Sequence, residues 1–529
     1  MKNSNLIYRY LTVLFVATMY ANEAEAEMQQ IGIPRLVVNV TIDQLRSDYL
    51  EAFSSLYLDG GFNRLLKEGR VYADGINNFA PADRASATAT ISTGTTPYYN
   101  GVVAGSWLDR ATLRPVLCTD DKKVEATPGT AKASARRLLT STIGDELKRY
   151  THGAAKVFGI APDCDAAILS AGHAADGAVW IDDNTGAWIT TGYYVQPTNH
   201  WITNFARGHQ LANIVADAKW TPMVNFSTSA SFFVNQGTKN SFTHKFTGNR
   251  RFVDYKRSAL INADITDIAL ACQQSNNLGA DDITDLLSIQ YYAGFFSEGN
   301  LSESQLELQD TYLRLDKEMQ RLMEVIERRV GKNNVIFVVS STGYCLGDNS
   351  DYEKYNIPSG TFYINRTANL LNMFLSSIYG SGQYVDACYH NHIYLNHKLL
   401  ERQHISIADV SSRALEFLQI SEGVRDVHTT QSILSSSSGD VLLLRNAYNP
   451  TLLGDIVIEV APGWQLVNED TGETYTQLAS TVSFPIIFLG KGIEAERITG
   501  FVTTDRIAPT ITKTIRIRAP NGCRSLPLF

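Results

Sequence analysis

A long amphipathic helix that leads directly into a buried strand is the feature that most restricts the folds open to this chain. Apolar residues recur at alternating spacings of three and four over residues 308–330, which is one face of a helix. Gly331 follows the last of them, where a left-handed C-cap is expected. Residues 335–339 then form an apolar run typical of a strand covered on both faces. A helix followed at once by such a strand predicts an α/β architecture.

Two further apolar runs extend this pattern. Residues 36–42 are rich in β-branched side chains and end at Asp43, and residues 485–489 precede a short glycine-rich turn. Strands that alternate with helices predict a doubly wound, mostly parallel central sheet with helices on both faces. Because chemistry in such sheets takes place at the carboxyl ends of the strands, Asp43 stands where a functional carboxylate is expected.

The length of 529 residues leaves room for segments outside this sheet. Polar, aromatic and Gly/Ser-rich stretches interrupt the strand–helix pattern twice, and we interpret them as insertions that cap the sheet. We expect a signal peptide at 1–26, core segments at 27–191, 276–345 and 441–529, and insertions at 192–275 and 346–440.

The N-terminus has the layout of a secretory signal, with basic Lys2 and Arg9, an apolar run at 11–21 and small residues up to Ala26. This run is about half of the roughly 20 residues that cross a bilayer. We therefore expect a periplasmic or secreted protein without a transmembrane segment after signal cleavage. A net charge of −8 without a basic stripe argues against nucleic acid as a partner. The six scattered cysteines leave both long-range disulfides and free thiols open.

Four motifs in order carry a resemblance to a known family: V-T-I-D-Q-L-R-S-D-Y (40–49), T-I-S-T-G-T-T-P-Y-Y-N-G (90–101), A-I-L-S-A-G-H-A-A-D-G-A-V-W (167–180) and T-T-D-R-I-A-P-T (503–510). The chain resembles the type I phosphodiesterase and nucleotide pyrophosphatase branch of the alkaline-phosphatase superfamily, particularly its PafA-like secreted phosphatases. The resemblance implies an alkaline-phosphatase-like fold. It also implies two zinc ions held by aspartates and histidines, and a Thr or Ser that attacks phosphate esters.

Few of the site residues that this resemblance implies are present. Asp43 matches the first metal ligand, although it is also suited to cap a helix start. The nucleophile position falls on Arg84, and Ser86 and Thr88 are the nearby hydroxyls that a slip of one or two residues would bring there. Hydroxyls in such a turn are more often backbone caps.

The remaining ligand positions are also changed. Residues 288–302, which match an Asp-x-x-x-His segment, hold neither residue, and Glu298 is their single acidic side chain. The family's Asp-His-Gly is replaced by Ser341-Thr342-Gly343, whose hydroxyls do not hold zinc tightly. No histidine occurs after His428, although the last family ligand is a histidine near the 485–489 strand.

Substitutions extend to the positions that would hold the substrate phosphate. A lysine and an arginine of the family are replaced by Asp163 and Asp165, which would repel a phosphate. The family's asparagine is replaced by Gly105 or Ser106. The vacated pocket is therefore expected to contain Asp43, Arg46, Arg84, Ser341 and Thr342, with the Arg84 guanidinium beside Asp43 in place of part of the metal's charge.

The histidines offer little to replace the lost ligands. His173 matches a family position that is not a ligand, and we interpret it as a structural histidine that holds a loop. His390, His392 and His397 are the nearest approach to a new metal cluster, but the first two are spaced like one face of a strand.

We therefore expect a catalytically degenerate pseudophosphatase without a cofactor, acting as a binding or assembly protein of the cell envelope. Its partner would be an envelope protein or a phosphorylated ligand. The alternative is a metal-dependent phosphomonoesterase or phosphodiesterase with re-sited ligands. It would use Asp43, Ser86, Asp163 and Asp165 with a hard cation such as Mg²⁺ or Ca²⁺, or zinc if the site is active. A third hypothesis is a receptor that holds a phosphorylated or sugar ligand without turning it over, with Arg46 and Arg84 as the candidate cations. Aromatic residues exposed together in the first insertion would form a contact surface: Tyr193, Tyr194, Trp201, Phe205, Trp220, Phe226, Phe232 and Phe233.

Overall fold

The computed structural model describes residues 32–127, 129–194, 200–224, 241–296, 304–345, 356–475 and 482–529. The predicted signal peptide at 1–26 lies outside the described residues, as do Glu298 and the three phenylalanines at 226, 232 and 233. Within the described part, no helix has the length and apolar character needed to cross a membrane.

The strands of the described residues include the three predicted buried runs and many shorter segments. They are β1 (Leu36–Asp43), β2 (Arg70–Ile76), β3 (Ser106–Asp109), β4 (Arg114–Leu117), β5 (Thr130–Ala131), β6 (Val157–Ile160), β7 (Gly177–Ile181), β8 (Trp188–Thr191), β9 (Lys219–Trp220), β10 (His244–Lys245), β11 (Asp285–Tyr292), β12 (Val335–Ser341), β13 (Gly360–Tyr363), β14 (Val385–Tyr389), β15 (His392–Leu395), β16 (Val424–Thr429), β17 (Ile456–Val460), β18 (Trp464–Asn468), β19 (Glu473–Tyr475), β20 (Phe484–Gly490) and β21 (Glu496–Thr503).

Helices occupy half of the connections between these strands. They are α1 (Ser47–Ala52), α2 (Phe62–Glu68), α3 (Arg84–Thr93), α4 (Pro97–Asn100), α5 (Ile143–Tyr150), α6 (Cys164–Ala171), α7 (His200–Gly208), α8 (Leu211–Asp217), α9 (Arg251–Lys256), α10 (Ile261–Ser275), α11 (Gln305–Val330), α12 (Ile364–Tyr379), α13 (His397–Arg402), α14 (Ile407–Gln419), α15 (Thr430–Ser435), α16 (Gly439–Ala447) and α17 (Ile507–Thr514).

The central sheet has ten strands in the order β21-β2-β20-β12-β1-β11-β6-β7-β8-β5. All eight residues of β1 are buried, and β11 and β12 pair with it in parallel on its two sides. The predicted strand at 485–489 is β20, which runs antiparallel to both β2 and β12. The doubly wound, mostly parallel α/β fold expected from the sequence is therefore confirmed.

The predicted long helix is α11, and its apolar stripe packs onto the central sheet. Leu315, Met319 and Leu322 are fully buried in the same hydrophobic cluster as Val38 and Val40 of β1. Gly331 ends the helix with a φ of 97°, a left-handed value that explains the glycine.

A second unit has a hydrophobic core of its own. Its two sheets have the orders β14-β15-β17-β16 and β13-β18-β19, and helices α12 and α14 contribute to the cluster that they enclose. This unit extends to Tyr475, beyond the boundary expected at 440, because β17 pairs with β15 and β16 instead of with the central sheet. The other domain boundaries stay predictions.

The aromatic residues of the first insertion do not form an exposed surface in the described part. Tyr194, Trp201 and Trp220 are buried, and Tyr193 and Phe205 are partly buried against hydrophobic clusters. These rings pack the segment onto the sheet because an aromatic side chain gains more from burial than from contact with water. The sequence did not decide whether the six cysteines form disulfides, and in the structure all six are free thiols.

Candidate functional site

A cleft of about 400 Å³ opens at the carboxyl edge of the central sheet. β1 ends there at Asp43, β11 ends at Tyr292, and the chain after β12 brings in Tyr344. Asp163 and Asp183 follow the ends of β6 and β7. Parallel strands therefore deliver these side chains to one edge, as expected for a doubly wound sheet. We call this site the acidic cleft; its lining also includes Gln44, Asp83, Arg84, Gly105, Asp165, Val253, Lys256 and Arg257.

Asp43 lies at the bottom of the acidic cleft with both carboxylate oxygens engaged. Thr342 Oγ1 donates a hydrogen bond to Asp43 Oδ1 at 2.9 Å, and the Tyr344 hydroxyl donates to Oδ2 at 3.3 Å. Burial raises the pKa of Asp43 to about 6, although the charge of Arg84 acts in the opposite direction. Asp43 is thus held by two hydroxyl groups.

Arg84 is the first residue of α3 and lines the same cleft as Asp43. Its guanidinium pairs with Asp163 through Nη1 at 2.7 Å and with Asp165 through Nε at 3.0 Å. Arg84 and Asp43 line the same cleft, but the direct partners of Arg84 are the two aspartates at the start of α6. The side chain that precedes it, Asp83, caps α3 by accepting from the Ser86 backbone N–H at 2.8 Å.

Lys256 completes the charged network. Its Nζ lies 2.5 Å from Asp163 Oδ1 and also forms an ion pair with Asp183. Although burial raises the pKa of Asp163, the charges of Arg84 and Lys256 bring it down to about 2. Asp163 is therefore ionised and shared by two cations, which ties α3, α6 and α9 together.

Sequence reasoning did not identify Lys256 and Asp183. Asp183 follows the apolar run 177–181, so the strand-end rule that selected Asp43 was a usable signal for it. Lys256 lies in an insertion, and only the docking of α9 against the cleft brings its side chain to Asp163.

Ser86 and Thr88, the two candidate nucleophiles, are buried hydroxyls with structural hydrogen bonds. Ser86 Oγ accepts from the Asp83 backbone N–H at 3.0 Å in the capping box of α3, and it donates to Asp83 Oδ1 at 2.7 Å. Thr88 Oγ1 accepts from Gln290 Nε2 at 3.2 Å. Neither residue is among those that line the acidic cleft.

The other predicted pocket residues divide into two groups. Thr342 holds Asp43, as described above, and Ser341 Oγ donates to the Leu45 carbonyl at 2.8 Å, so it fixes the turn after β1. Arg46 pairs with Asp48 at 2.5 Å and stacks over the Tyr49 ring. The structure thus brings Asp43, Thr342 and Arg84 together and directs Arg46 and Ser341 to other contacts.

The histidines have separate roles. His173 bridges Asp145 Oδ2 at 2.8 Å and the Leu138 carbonyl at 2.9 Å, which fits the predicted structural role. His397 Nε2 lies 2.8 Å from Asp455 Oδ1. The His390 ring stacks against tyrosine rings, and His390 and His392 line a different cavity from the acidic cleft.

The donor groups of the acidic cleft do not fit the two zinc ions that the family resemblance implies. No imidazole is among the described residues that line it. Asp163 and Asp165 are neutralised by Arg84 and Lys256, and Asp43 is bonded to hydroxyls, so a zinc ion would have to displace these partners. Over the described ranges, no three His, Cys, Asp or Glu side chains are grouped to hold a metal ion.

Comparisons with known proteins agree with the resemblance inferred from the motifs. The model of the family described as type I phosphodiesterase / nucleotide pyrophosphatase matches residues 37–482. The chain is 29% identical to alkaline phosphatase PafA of Elizabethkingia meningoseptica, over 94% of each chain. It is 28% identical to a calcium-transporting ATPase of Myroides odoratus, over 98% of each. The crystal structure of wild-type PafA superposes with a TM-score of 0.80 at 27% identity, covering 94% of this chain and 99% of that one.

Proposed function

The chain belongs to the type I phosphodiesterase / nucleotide pyrophosphatase family of the alkaline-phosphatase superfamily, and from that premise we propose that it is a degenerate member that binds a ligand or partner without hydrolysing phosphate esters. The observation that carries this proposal is the place of Arg84. Its guanidinium occupies the start of α3 in the acidic cleft and is fixed by Asp163 and Asp165. A guanidinium stays protonated and is not a nucleophile.

The charge of the acidic cleft supports the same proposal. Its lining has the five aspartates 43, 83, 163, 165 and 183 against three cationic side chains, Arg84, Lys256 and Arg257. An excess of carboxylates opposes the binding of a phosphate dianion. The same excess of carboxylates opposes a phosphorylated ligand. The bound species that fits this lining is therefore a protein or a small molecule without phosphate.

The test is the metal content of the purified chain together with its turnover of an aryl phosphate monoester and diester. We expect less than one metal ion per chain and no turnover with added Zn²⁺, Mg²⁺ or Ca²⁺. Metal near two per chain with turnover would overturn the proposal. Asp43→Ala is the matched variant, because activity that depends on the cleft is lost in it and activity from a contaminating phosphatase is not.

The second candidate is a metal-dependent phosphomonoesterase or phosphodiesterase with re-sited ligands. The comparisons favour it, since a relative that matches over 94% of both chains is named an alkaline phosphatase. Its ligands would be Asp43, Asp163 and Asp165 with a hard cation. Binding would require the cation to displace Arg84 from Asp163 and Asp165, so activity should rise when Arg84 is replaced by methionine. No gain in that variant would count against this candidate.

We further propose that the protein acts outside the cytoplasm, in the periplasm or secreted. The support is the signal-like layout of residues 1–26 in the sequence. Fractionation of cells that express the full chain tests this, and N-terminal sequencing of the mature protein should begin at Glu27.

A further inference from the structure

Two helices of the second unit, α12 and α14, lie side by side and run in opposite directions. The Phe374 ring stacks on the Phe417 ring with 5.0 Å between the ring centroids. The Tyr379 hydroxyl donates a hydrogen bond to Asp409 Oδ2 at 2.5 Å. Since Phe374 precedes Tyr379 on α12 whereas Phe417 follows Asp409 on α14, the helices are antiparallel. The first half of α12 therefore lies beside the end of α14.

This helix pair is apolar on its outer side as well as on its inner side. Leu371 and Leu375 of α12 are buried in the core of the second unit. On the other side of α12, Leu370 is 49% exposed and Met373 is 67% exposed, and Ile420, which directly follows α14, is 84% exposed. The two stacked phenylalanines lie between them and are partly buried. We call this surface the helix-pair face, and its residues are Leu370, Met373, Phe374, Phe417 and Ile420.

The sequence of α12 is unusual for a helix at the surface of a protein in water. Arg366 is the single charged residue among its 16, and it pairs with Glu469 at 2.6 Å. A surface helix normally carries charged and polar residues opposite its buried side, whereas a helix that is apolar all round is typical of one covered on all sides. A methionine at the middle of such a surface adapts readily to the shape of a partner. We therefore infer that the helix-pair face is covered in the working protein.

The distribution of charge favours a second copy of this chain as the cover. The chain carries a net charge of −8, so two copies repel each other over most of their surfaces. Residues 367–380 and 417–421 contain no charged side chain, and the nearby Arg413 and Glu416 pair with each other at 3.1 Å. Two copies of this face can therefore meet without bringing like charges together. A membrane surface would instead favour a helix rich in Lys and Arg on its polar side.

We propose that two copies of the chain associate through the helix-pair face as a symmetric dimer, with α12 and α14 of each copy packed against those of the other. The exposed fractions correspond to an apolar surface on the order of 400 Å² per copy, within the roughly 300–600 Å² of functional patches on monomers. With its polar rim, the contact approaches the roughly 1,000 Å² of a specific interface, so we expect a dissociation constant in the micromolar range. A contact of one surface with its own copy closes after two chains. The dimer does not depend on whether the acidic cleft is catalytic, so this proposal goes beyond the function proposed above.

The first test is sedimentation velocity of the purified chain at about 1 μM and about 100 μM, on either side of the expected dissociation constant. We expect monomer at the lower concentration and dimer at the higher. Met373→Glu places a carboxylate at the centre of the contact and should leave only monomer at both concentrations. Leu139→Glu is the matched control, because Leu139 is 64% exposed and lies in the central domain, and this variant should dimerise like the natural chain. A natural chain that stays monomeric, a Met373→Glu variant that still dimerises, or loss of the dimer in both variants overturns the proposal.

A second measurement locates the contact in the natural chain, without any substitution. Dilute hydrogen peroxide oxidises exposed methionines to the sulfoxide, which mass spectrometry detects. Met373 should be oxidised several-fold more slowly at the higher concentration, because the dimer covers it. Met223, which is 42% exposed, is the internal control and should react at the same rate at both concentrations. Dimerisation without protection of Met373 would show that the copies meet through another surface and would reject the proposal.

Discussion

Arg84 and Asp163 form an ion pair of 2.7 Å that joins the start of α3 to the start of α6. A cation at the first position of a helix is unfavourable for the helix dipole. Arg84 is therefore retained there by the carboxylates of Asp163 and Asp165 and not by α3 itself. In a cleft where the family resemblance implies metal ions, an arginine now supplies positive charge between the strand ends.

Replacing Arg84 by methionine should lower the free energy of unfolding by about 2 kcal/mol. Removing one partner of a fully buried pair costs about 3–5 kcal/mol, and the side chains here are 30% and 22% exposed, which reduces the effect. Urea denaturation measures the change. Arg497→Met is the control, because Arg497 and its partner Glu51 are both about half exposed and such pairs contribute about 0–1 kcal/mol. Equal losses in the two variants would contradict the structural role of Arg84.

Ser86→Ala should lower the free energy of unfolding by about 1 kcal/mol, the usual net contribution of a hydrogen bond. The reason is that Ser86 Oγ accepts from the Asp83 backbone N–H in the capping box of α3, whereas Asp83 remains the N-cap in the variant. Thermal unfolding compares it with Ser412→Ala, whose hydroxyl is exposed on α14. Any phosphate-ester hydrolysis by the natural chain should persist in Ser86→Ala. Loss of turnover without loss of stability would identify Ser86 as the nucleophile and reject its structural role.

His173 should make stability depend on pH. Both of its ring nitrogens face acceptors, Asp145 Oδ2 and the Leu138 carbonyl, so the doubly protonated ring is favoured. The hydrogen bond to Asp145 raises the pKa of His173 above 6.5, with burial acting against it. Its stabilisation is fully present below pH 6.5, the unfolded value, and is lost as the pH rises through the folded pKa.

The measurement is the Tm between pH 6 and pH 9, taken on the natural chain and on His173→Gln. The variant should lose this part of the pH dependence, whereas His404→Gln, at an exposed site, should keep it. A histidine resonance assigned to His173 by NMR should titrate above the usual range. A pH profile unchanged in His173→Gln would show that the ring does not carry the proton.

Treatment with a metal chelator should leave the Tm unchanged if the carboxylates of the acidic cleft are neutralised by Arg84 and Lys256. A metal ion present at 100 times its Kd would add about 2.7 kcal/mol to the free energy of unfolding. Its removal would therefore lower the Tm by several degrees, and added Zn²⁺ would restore it. Differential scanning calorimetry before and after chelation separates the two outcomes.

Local sequence patterns were sufficient to predict the elements nearest the centre of the fold. β1 and β12 are nearly continuous apolar runs and α11 has apolar residues at helical spacing, so their burial could be predicted from the sequence without knowing the neighbours. The strand-end rule placed Asp43 correctly at the edge of the sheet. The antiparallel direction of β20 could not be predicted from the sequence, because an apolar run has the same composition in either direction.

The sequence by itself determined the class of fold and the end of β1 at Asp43, since each depends on residues close together in the chain. The tertiary structure alone decided which charges meet. Lys256 reaches Asp163 across 93 positions of sequence, and His392 and Trp107 line one cavity only because the second unit packs against the central domain. Hydrophobic periodicity is a local property, whereas ion pairs and cavities are made by side chains whose separation in space the sequence does not state.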